Sequence, residues 1–496
     1  MKSIGQDHRR PRVNNARWRQ SLGLFSTICL VAILLPAVAN AQPPAADDQA
    51  SSVETGDPRA KPNIVLILSD DQRWSDYGFM NHSAIKTPNL DALAKRGTVF
   101  RRGYVPTALC RASLMSLATG HYAFQHRVCG NDPMLNPGER RNSESYLQRR
   151  KTIIANIDRY ETLAEALGRA GYVSHQSGKW WEGSFKRGGF TEGMTQGFDN
   201  HPRGRHGDVG LTIGREGLEP VEAFVDQSVN QKKPFFLWYA PLLPHTPHNP
   251  PAKLLDRYRS PDRPLKIAKY MAMCEWFDES CGELFEILDR KKLSDNTLIV
   301  YVCDNGWVSA VPKLNSPENW KPAYGPKSKR SSYDGGTRTP IIYSWPASIP
   351  NRDRKELATS LDIYPTLLAA AGVTPTTKLP GLNLLEQLKT GQPIERDELF
   401  GESFSHDIAD PADPERSLIN RWCIDGKWKL ILSYADVPAS VTPSFQRENS
   451  KPPQLFDLSE DPNETKNLAQ QHPEIVQPLK QKIADWYPVE RMLIEK

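Results

Sequence analysis

The chain has 496 residues, which is long enough for one large domain and a smaller one. Its formal net charge of +5 comes from residues 1–41, which hold six Lys or Arg and one Asp. The rest of the chain therefore has 57 basic and 57 acidic residues, and this balance argues against binding to nucleic acid or to bulk polyanions. Any preference for an anionic ligand has to come from charges fixed at a local site.

The N-terminal segment has the pattern of a secretory signal peptide. Five arginines between residues 9 and 19 precede an apolar run at residues 22–35, and Ala39-Asn40-Ala41 forms a small-x-small cleavage site. A membrane anchor is the alternative, but the apolar run is too short to cross a bilayer comfortably. We expect residues 1–41 to be cleaved, which leaves a secreted or periplasmic protein with no stable membrane anchor. Residues 42–60 are rich in Ala, Pro, Ser and Asp and are predicted to be a disordered spacer.

From residue 61 onward, apolar runs typical of buried strands alternate with amphipathic helical patterns. The predicted strands are Asn63–Leu68, Tyr172–Gln176, Pro234–Ala240, Thr297–Cys303 and Pro340–Ser344. The predicted helices are Pro88–Gly97, Glu161–Ala170, Lys266–Arg290 and Leu361–Ala371. This alternation predicts a catalytic α/β domain with a doubly wound sheet over residues 61–390.

The composition changes after Gly372, where a linker containing Pro, Thr and Gly begins. Short strand patterns follow, and a final helix closes the chain. The predicted elements are strands Trp422–Ile424, Trp428–Ser433 and Leu455–Leu458 and the helix Pro473–Tyr487. They predict a small antiparallel α+β domain at residues 391–496.

The cysteines do not form a metal or redox motif. One of the seven lies in the signal segment, and the other six include no Cys-x-x-Cys pair, which argues against a zinc site or a redox dithiol. Cys274 and Cys281 lie two turns apart on one face of a predicted helix, so we expect them to be packed rather than disulfide-bonded.

Cys110 begins a short helical run that ends at Gly120. A nucleophile at a helix N-terminus lies beside amide donors and a partial positive charge, so this position is expected to lower the pKa of the thiol and to attract anions. A buried structural cysteine is the alternative interpretation.

Polar side chains follow three of the predicted buried strands. Asp70 and Asp71 end the first strand, His245 follows the strand at Pro234–Ala240, and Asp304 and Asn305 end the strand at Thr297–Cys303. In an open α/β sheet these carboxyl ends meet at one edge, where ligands bind. Three carboxylates and an amide oxygen are hard ligands that suit Ca²⁺ or Mg²⁺ rather than zinc. Turns or helix caps at the strand ends are the alternative for each pair taken alone.

These motifs, in this order, resemble those of the type I sulfatases. Cys110-Arg-Ala-Ser-Leu114 followed by Thr119-Gly120 resembles the family signature Cys-x-Pro/Ala-Ser-Arg…Thr-Gly. The other matching motifs are Asp70-Asp71, Gly178-Lys179-Trp180, His245-Thr-Pro247, Asp304-Asn305-Gly306, the segment from Lys329 to Pro340, and Leu455–Leu468 near the C-terminus. The resemblance extends from about Lys61 to the end of the chain.

The resemblance implies a fold, a site and a reaction. The fold is a doubly wound mixed sheet of the alkaline phosphatase type with a smaller C-terminal α+β domain. Cys110 is then oxidised to formylglycine by a formylglycine-generating maturation enzyme, and a cation, Ca²⁺ or Mg²⁺, is bound at this site. The implied metal ligands are Asp70, Asp71, residue 110, Asp304 and Asn305. The implied catalytic residues are Cys110, Lys179, His245 and Lys329, and the substrate is a sulfated carbohydrate.

Two positions depart from the family pattern and keep other functions open. Leu114 replaces the signature arginine, and Trp181 replaces the histidine that the family has two residues after the lysine, which is Lys179 here. In the family that histidine assists the release of sulfate. The alternatives are a metal-dependent phosphatase or phosphodiesterase of the same fold, and a catalytically silent binder of sulfated glycans.

Overall fold

A computed structural model describes residues 61–197, 204–307, 327–435 and 451–495. The predicted signal peptide and spacer, residues 1–60, lie outside the described residues. The described residues belong to one compact unit, Arg59–Lys496, which contains two main β-sheets.

The larger sheet, within the described residues, has eight strands in the order β5-β4-β6-β1-β7-β8-β2-β9. Its strands are β1 Asn63–Ser69, β2 Thr98–Tyr104, β4 Val173–Gly178, β5 Glu192–Gly193, β6 Phe235–Ala240, β7 Thr297–Cys303, β8 Arg338–Ser344 and β9 Arg352–Thr359. The five strands from β5 to β7 are parallel to their neighbours, whereas β8 runs antiparallel to both β7 and β2. The sheet is therefore mixed, as the family resemblance implied.

Helices cover the sheet and bury its central strands. β1, β6 and β7 are almost fully buried along their length, which is why each reads as a continuous apolar run rather than an alternating one. The α-helices of this part of the chain are Pro88–Arg96, Cys110–Thr119, Ala123–His126, Glu144–Ile154, Leu163–Arg169, Glu219–Asn230, Ala252–Tyr258, Leu265–Arg290, Asp334–Thr337, Ile363–Ala370 and Leu385–Thr390.

The predicted strands and helices of this domain are confirmed to within a few residues. Three strands of this sheet were not predicted: the two-residue β5 at one edge, and β2 and β9, which complete the other side. Arg101, Arg102 and Gly103 interrupt the apolar pattern of β2, and β9 at the edge of the sheet carries Arg, Asp, Lys and Glu. Exposed edge strands do not need a continuous apolar sequence, so the pattern that identified the central strands is missing there.

The smaller sheet is antiparallel and has the order β10-β12-β13-β14. Its strands are β10 Glu398–Phe404, β12 Leu418–Asp425, β13 Trp428–Ser433 and β14 Gln454–Asp457, and the C-terminal helix spans Pro473–Trp486. Val476, Leu479 and Ile483 of this helix pack against apolar side chains of the sheet. The predicted small antiparallel α+β region is therefore confirmed. A further pair of short strands, β3 Asp132–Pro133 and β11 Asp407–Ile408, runs parallel.

A buried ion cluster joins the two sheets. Lys429 of β13 lies 2.9 Å from Asp334 and 3.0 Å from Glu464, and all three side chains are at most 1% exposed. Asp334 follows Lys329 by five residues, so the smaller sheet contacts the segment that carries a predicted site residue.

The six cysteines outside the signal segment are all buried and unpaired. The expectation that Cys274 and Cys281 are packed rather than bonded is confirmed. Among the described helices, none combines the length and the apolar composition that crossing a bilayer requires.

Candidate active site

Four neighbouring parallel strands deliver polar side chains to one edge of the larger sheet. In the order β4-β6-β1-β7, their carboxyl ends are followed by Lys179, by the loop containing His245, by Asp70-Asp71 and by Asp304-Asn305. The predicted convergence at this edge therefore occurs, and Lys179 joins it from a fourth strand.

Cys110 faces this group from the first residue of its helix. The helix spans Cys110–Thr119, and its C-cap Gly120 has the left-handed φ of 73° that glycine adopts without strain. The thiol is 1% exposed. Lys329 Nζ lies 2.7 Å from its sulfur, and carboxylate oxygens of Asp70 and Asp71 each lie 3.9 Å from it.

Two buried lysines pair with the carboxylates of the first strand end. Lys179 Nζ lies 2.6 Å from Asp70 Oδ2, and Lys329 Nζ contacts Asp71 Oδ1. All four side chains are at most 4% exposed. Charged groups so deeply buried require partners that carry the opposite charge.

The turn after β1 is held by the neighbouring strand end. Asp71 has a left-handed φ of 63°, which is uncommon for a residue with a side chain and costs on the order of 1 kcal/mol. Its backbone N–H donates to Asp304 Oδ1 at 3.1 Å, and Asn305 Nδ2 donates to Asp71 Oδ1 at 2.7 Å. These bonds fix Asp71, Asp304 and Asn305 relative to one another.

The pKa values of Asp71 and Asp304 shift in opposite directions because their surroundings differ. Burial alone would raise the pKa of Asp71, but Lys329, His245 and Lys179 together hold it well below its ordinary value. Burial and the nearby charge of Asp70 raise the pKa of Asp304 well above its ordinary value. Asp304 is thus a carboxylate without enough positive charge near it.

The thiol of Cys110 does not behave as the helix N-terminus predicted. Burial raises its pKa to about 12, although Lys179 and Lys329 act in the opposite direction. The prediction of a lowered thiol pKa is therefore wrong, because desolvation of a thiolate outweighs the lysines and the helix end. Cys110 is a neutral thiol at physiological pH.

His245 closes the group from the solvent side. Its side chain is 21% exposed, and its Nε2 lies 3.5 Å from Asp71 Oδ2. Its Nδ1 lies 2.7 Å from the carbonyl of Thr246, which requires the proton on Nδ1 and turns Nε2 toward the site. Burial lowers the pKa of this imidazole, so the neutral form with an acceptor at Nε2 is favoured.

The residues fit a divalent cation. Ligand atoms of Asp70, Asp71, Cys110 and His245 lie within 4.8 Å of one another. Asp304 Oδ2 and Asn305 Oδ1 are buried and accept no hydrogen bond from the described residues, although buried polar atoms almost always accept one. Oxygen donors with unused lone pairs beside a cluster of carboxylates are the set that Ca²⁺ or Mg²⁺ binds. His245 extends the predicted set with an imidazole nitrogen.

The glycines of two motifs allow their backbones to pack closely beside the site. A Cβ on Gly306 would lie 1.8 Å from the carbonyl oxygen of Gly335, and one on Gly178 would lie equally close to the carbonyl of Ala240. The Gly306 N–H also donates to the Gly336 carbonyl at 3.0 Å. Close backbone packing thus explains why the chain has both the glycine of Asp304-Asn305-Gly306 and the pair Gly335-Gly336.

The two departures from the family pattern have different surroundings. Leu114 is 5% exposed and belongs to the apolar core beneath the helix. The ring of Trp181 lies 4.9 Å from Lys179 Nζ, in a cation–π contact. Trp181 is 3% exposed, so it covers Lys179 rather than offering a titratable group.

Sequence reasoning missed two arginines beside Cys110. Arg111 forms a fully buried ion pair with Glu182, with contacts of 2.7 and 2.6 Å, and so connects the cysteine motif to the lysine motif. Arg330 follows Lys329 in a left-handed conformation, φ 68°, and burial lowers the pKa of its guanidinium, although the nearby charge of Asp71 acts in the opposite direction. The only signal in the sequence was that an arginine comes directly after Cys110 and another directly after Lys329.

Comparisons with known proteins agree with the geometry. The family model described as Sulfatase matches residues 62–373, and the model of the N-sulphoglucosamine sulphohydrolase C-terminal region matches residues 323–487. Arylsulfatase A of Homo sapiens is 28% identical over 486 residues, covering 85% of this chain and 86% of the relative. N-acetylgalactosamine-6-sulfatase of Canis lupus familiaris is 27% identical over 445 residues and covers 81% of each chain.

The fold is also similar to that of solved structures. The crystal structure of Ps i-CgsB superposes with a TM-score of 0.63 at 24% identity and covers 86% of this chain and 93% of the other. The PsFucS1 sulfatase from Pseudoalteromonas sp. and the phosphonate monoester hydrolase of Agrobacterium radiobacter superpose with TM-scores of 0.62 and 0.61 at 20% and 21% identity, and this likeness confirms the predicted fold class. Because the Sulfatase model spans more than half of the residues, including those at the four strand ends, the chain belongs to the sulfatase family.

Proposed function

We propose that this sulfatase releases sulfate from a sulfated carbohydrate through a formylglycine formed at position 110 and a bound divalent cation, most simply Ca²⁺. The observation that supports this most strongly is the buried group of Cys110, Lys179, Lys329 and the strand-end carboxylates, with ammonium groups 2.6–2.7 Å from a carboxylate and from the sulfur. The curated relatives are named as sulfatases of galactosamine sulfate and as arylsulfatases.

The charge of the group favours a cation before an anionic substrate binds. Once all three are ionised, as cation binding requires, Asp70, Asp71 and Asp304 carry three negative charges, and Lys179 and Lys329 carry two positive ones. Arg330 brings the sum close to zero. Adding a divalent cation makes the site positive, which suits a sulfate ester with one negative charge.

Each side chain has a defined role in the proposal. Asp70, Asp71, Asp304, Asn305 and residue 110 would hold the cation, which would offset charge on the sulfate oxygens. A hydrated aldehyde at position 110 would supply one hydroxyl as nucleophile and a second that permits sulfate release. Lys179 stabilises the sulfuryl oxygens in the transition state.

The remaining two residues act on the leaving group. Lys329, beside position 110, is placed to neutralise the departing sugar oxygen, and His245, at the solvent side, is placed to protonate it after its Nε2 has taken up a proton. The residue that assists sulfate release has to differ from the family histidine, because Trp181 has no titratable group. We also propose that residues 61–390 form the catalytic domain, that residues 391–496 form the C-terminal domain, and that the protein is secreted or periplasmic after loss of residues 1–41.

The experiment is a panel of sulfated glycans and aryl sulfates assayed beside matched phosphate esters, with and without a chelator. The proposal predicts turnover of sulfate esters that chelation abolishes. Turnover of phosphate esters alone would instead identify a phosphatase or phosphodiesterase. Binding of sulfated glycans without turnover of either ester would identify a silent binder.

A further inference from the structure

Three arginines meet one buried carboxylate close to the candidate active site. Asp132 Oδ2 accepts from Arg205 Nη1 and lies 3.3 Å from Arg141 Nη1, and Asp132 Oδ1 lies 3.9 Å from Arg150 Nε. We call these four side chains the Asp132 cluster. Two guanidinium groups therefore share a single carboxylate oxygen.

The Asp132 cluster has a surplus of positive charge that faces solvent. Among the described residues, Arg141 and Arg205 share the one carboxylate of Asp132, so their two guanidinium groups exceed it by one positive charge. Asp407, which pairs with Asp132 across the two short strands, contacts His406 instead. Asp132 and Arg150 are 3–4% exposed, whereas the side chains of Arg141 and Arg205 are 46% and 30% exposed. The cluster thus has a buried base and two accessible guanidinium groups, which suit planar recognition of an oxyanion.

Two independent series of contacts connect the cluster to the candidate site. His206, next to Arg205, has its ring 4.9 Å from that of Trp181, which in turn lies 4.9 Å from Lys179 Nζ. On the other side, Asn131 precedes Asp132 and contacts Arg111, the residue after Cys110.

The contacts of Asn131 with Arg111 are direct hydrogen bonds. Asn131 Oδ1 accepts from the Arg111 backbone N–H at 3.2 Å, and the Asn131 carbonyl accepts from Arg111 Nη1 at 3.0 Å. The cluster is therefore connected through these contacts to both the lysine motif and the cysteine motif.

We propose that Arg141 and Arg205 bind a second anionic group of the substrate, located on the sugar next to the one that carries the scissile sulfate. Asp132 orients the two guanidinium groups, and the anion offsets the repulsion between them. The anion is an oxyanion of a glycan, either a second sulfate ester or a uronate carboxylate. This inference rests on the proposed function and specifies its substrate as a polyanionic oligosaccharide.

The kinetic test compares two disaccharides that share the scissile sulfate, one of which carries a second anionic group. Arg205→Ala and Arg141→Ala are each expected to lower the ratio of kcat/KM for the dianionic over the monoanionic substrate by about tenfold or more. Arg205→Lys keeps the charge but not the fork and is expected to lower the ratio less. A ratio that stays at the wild-type value in both alanine variants would overturn the inference.

A matched control and two substrate arms make the result specific. Arg290→Ala removes an exposed arginine that pairs with Glu222 near the amino ends of the strands and is expected to leave the ratio unchanged. Running a disulfated and a uronate-containing disaccharide separately identifies which anion the cluster prefers. Equal loss on the dianionic and monoanionic substrates would assign the arginines to local stability alone and also overturn the inference.

A binding measurement separates this inference from the proposed function. Calorimetric titration of Cys110→Ala protein with the disulfated disaccharide is expected to show binding that weakens at high salt. Adding Arg205→Ala to this protein is expected to raise the Kd about tenfold or more. If the wild type cleaves no sulfate ester but this binding depends on Arg205, the proposed function fails and the anion subsite stands. If the wild type cleaves sulfate esters and the affinity for the disaccharide does not change on replacing either arginine, only the subsite is overturned.

Discussion

Replacing Lys429 by Met tests the ion cluster that joins the two sheets. The change removes the only lysine that contacts both Asp334 and Glu464 among the described residues, and it leaves two carboxylates buried at 1% exposure. Breaking a buried ion pair in this way costs about 3–5 kcal/mol, because an uncompensated charge stays in a low-dielectric interior. We expect that loss in the free energy of unfolding at neutral pH, measured by urea denaturation.

Lys482 provides a matched control in the same part of the fold. It also contacts two carboxylates, Glu398 at 2.8 Å and Asp425 at 2.7 Å, but its side chain is 41% exposed. Lys482→Met is therefore expected to cost about 0–1 kcal/mol. A loss in Lys429→Met no larger than in this control would refute the reasoning.

A double-mutant cycle measures the same charge imbalance directly. Burial raises the pKa of Glu464 to about 7, whereas Lys429 and Arg338 hold that of Asp334 below its ordinary value despite burial. In the Lys429→Met background, Glu464→Gln removes one unpaired charge, so its cost should be about 1–3 kcal/mol smaller than in the wild type. Identical costs in the two backgrounds would show that the charges do not interact.

Three further predictions concern the cation, the leaving group and pH. Ca²⁺ at about 100 times its Kd should stabilise the wild type by about 2.7 kcal/mol and leave Asp304→Ala unaffected and inactive; equal activity after exhaustive chelation would exclude the cation site. Lys329→Ala and His245→Ala should each lower kcat by about 10²-fold or more with a much smaller change in KM, because leaving-group charge develops only in the transition state; a change in KM alone would assign them to ground-state binding. Glu402 is fully buried, and burial raises its pKa to about 8 although two backbone N–H groups donate to it. Its contribution to the free energy of unfolding is therefore complete below the unfolded pKa of about 4.5 and is lost as the pH rises to about 8. Measured by urea denaturation, the free energy of unfolding of Glu402→Gln should rise by about 3–4 kcal/mol relative to that of the wild type between pH 5 and pH 8. A difference between the two proteins that does not change with pH would contradict this assignment.

The central strands and the edge at which the site forms were predictable from the sequence. β1, β6 and β7 are buried on both faces, so each is a continuous apolar run followed by the polar residues it delivers. The order of the strands is a property of the whole sheet, and β2 and β9 have charged sequences. Local patterns therefore could not predict how that side of the sheet is completed.

Properties that depend on burial were the least predictable. The helix N-terminus at Cys110 argued for an acidic thiol, but the thiol is 1% exposed, and desolvation determines its pKa. Glu182 and Arg111 are 71 positions apart in the sequence, so their ion pair exists only in the folded chain. The same holds for Lys429 with Asp334. Charged residues scattered along a chain do not show which of them meet in the interior.

Mass spectrometry of the peptide that carries residue 110 tests the central claim most directly. Trypsin should release this residue in the fragment Gly103–Arg111, from protein produced in its native host. The proposed function predicts an aldehyde at position 110, detected by its mass and by reaction with a hydrazide probe, despite Leu114 in the signature. A quantitatively free thiol in an active preparation would contradict the formylglycine mechanism.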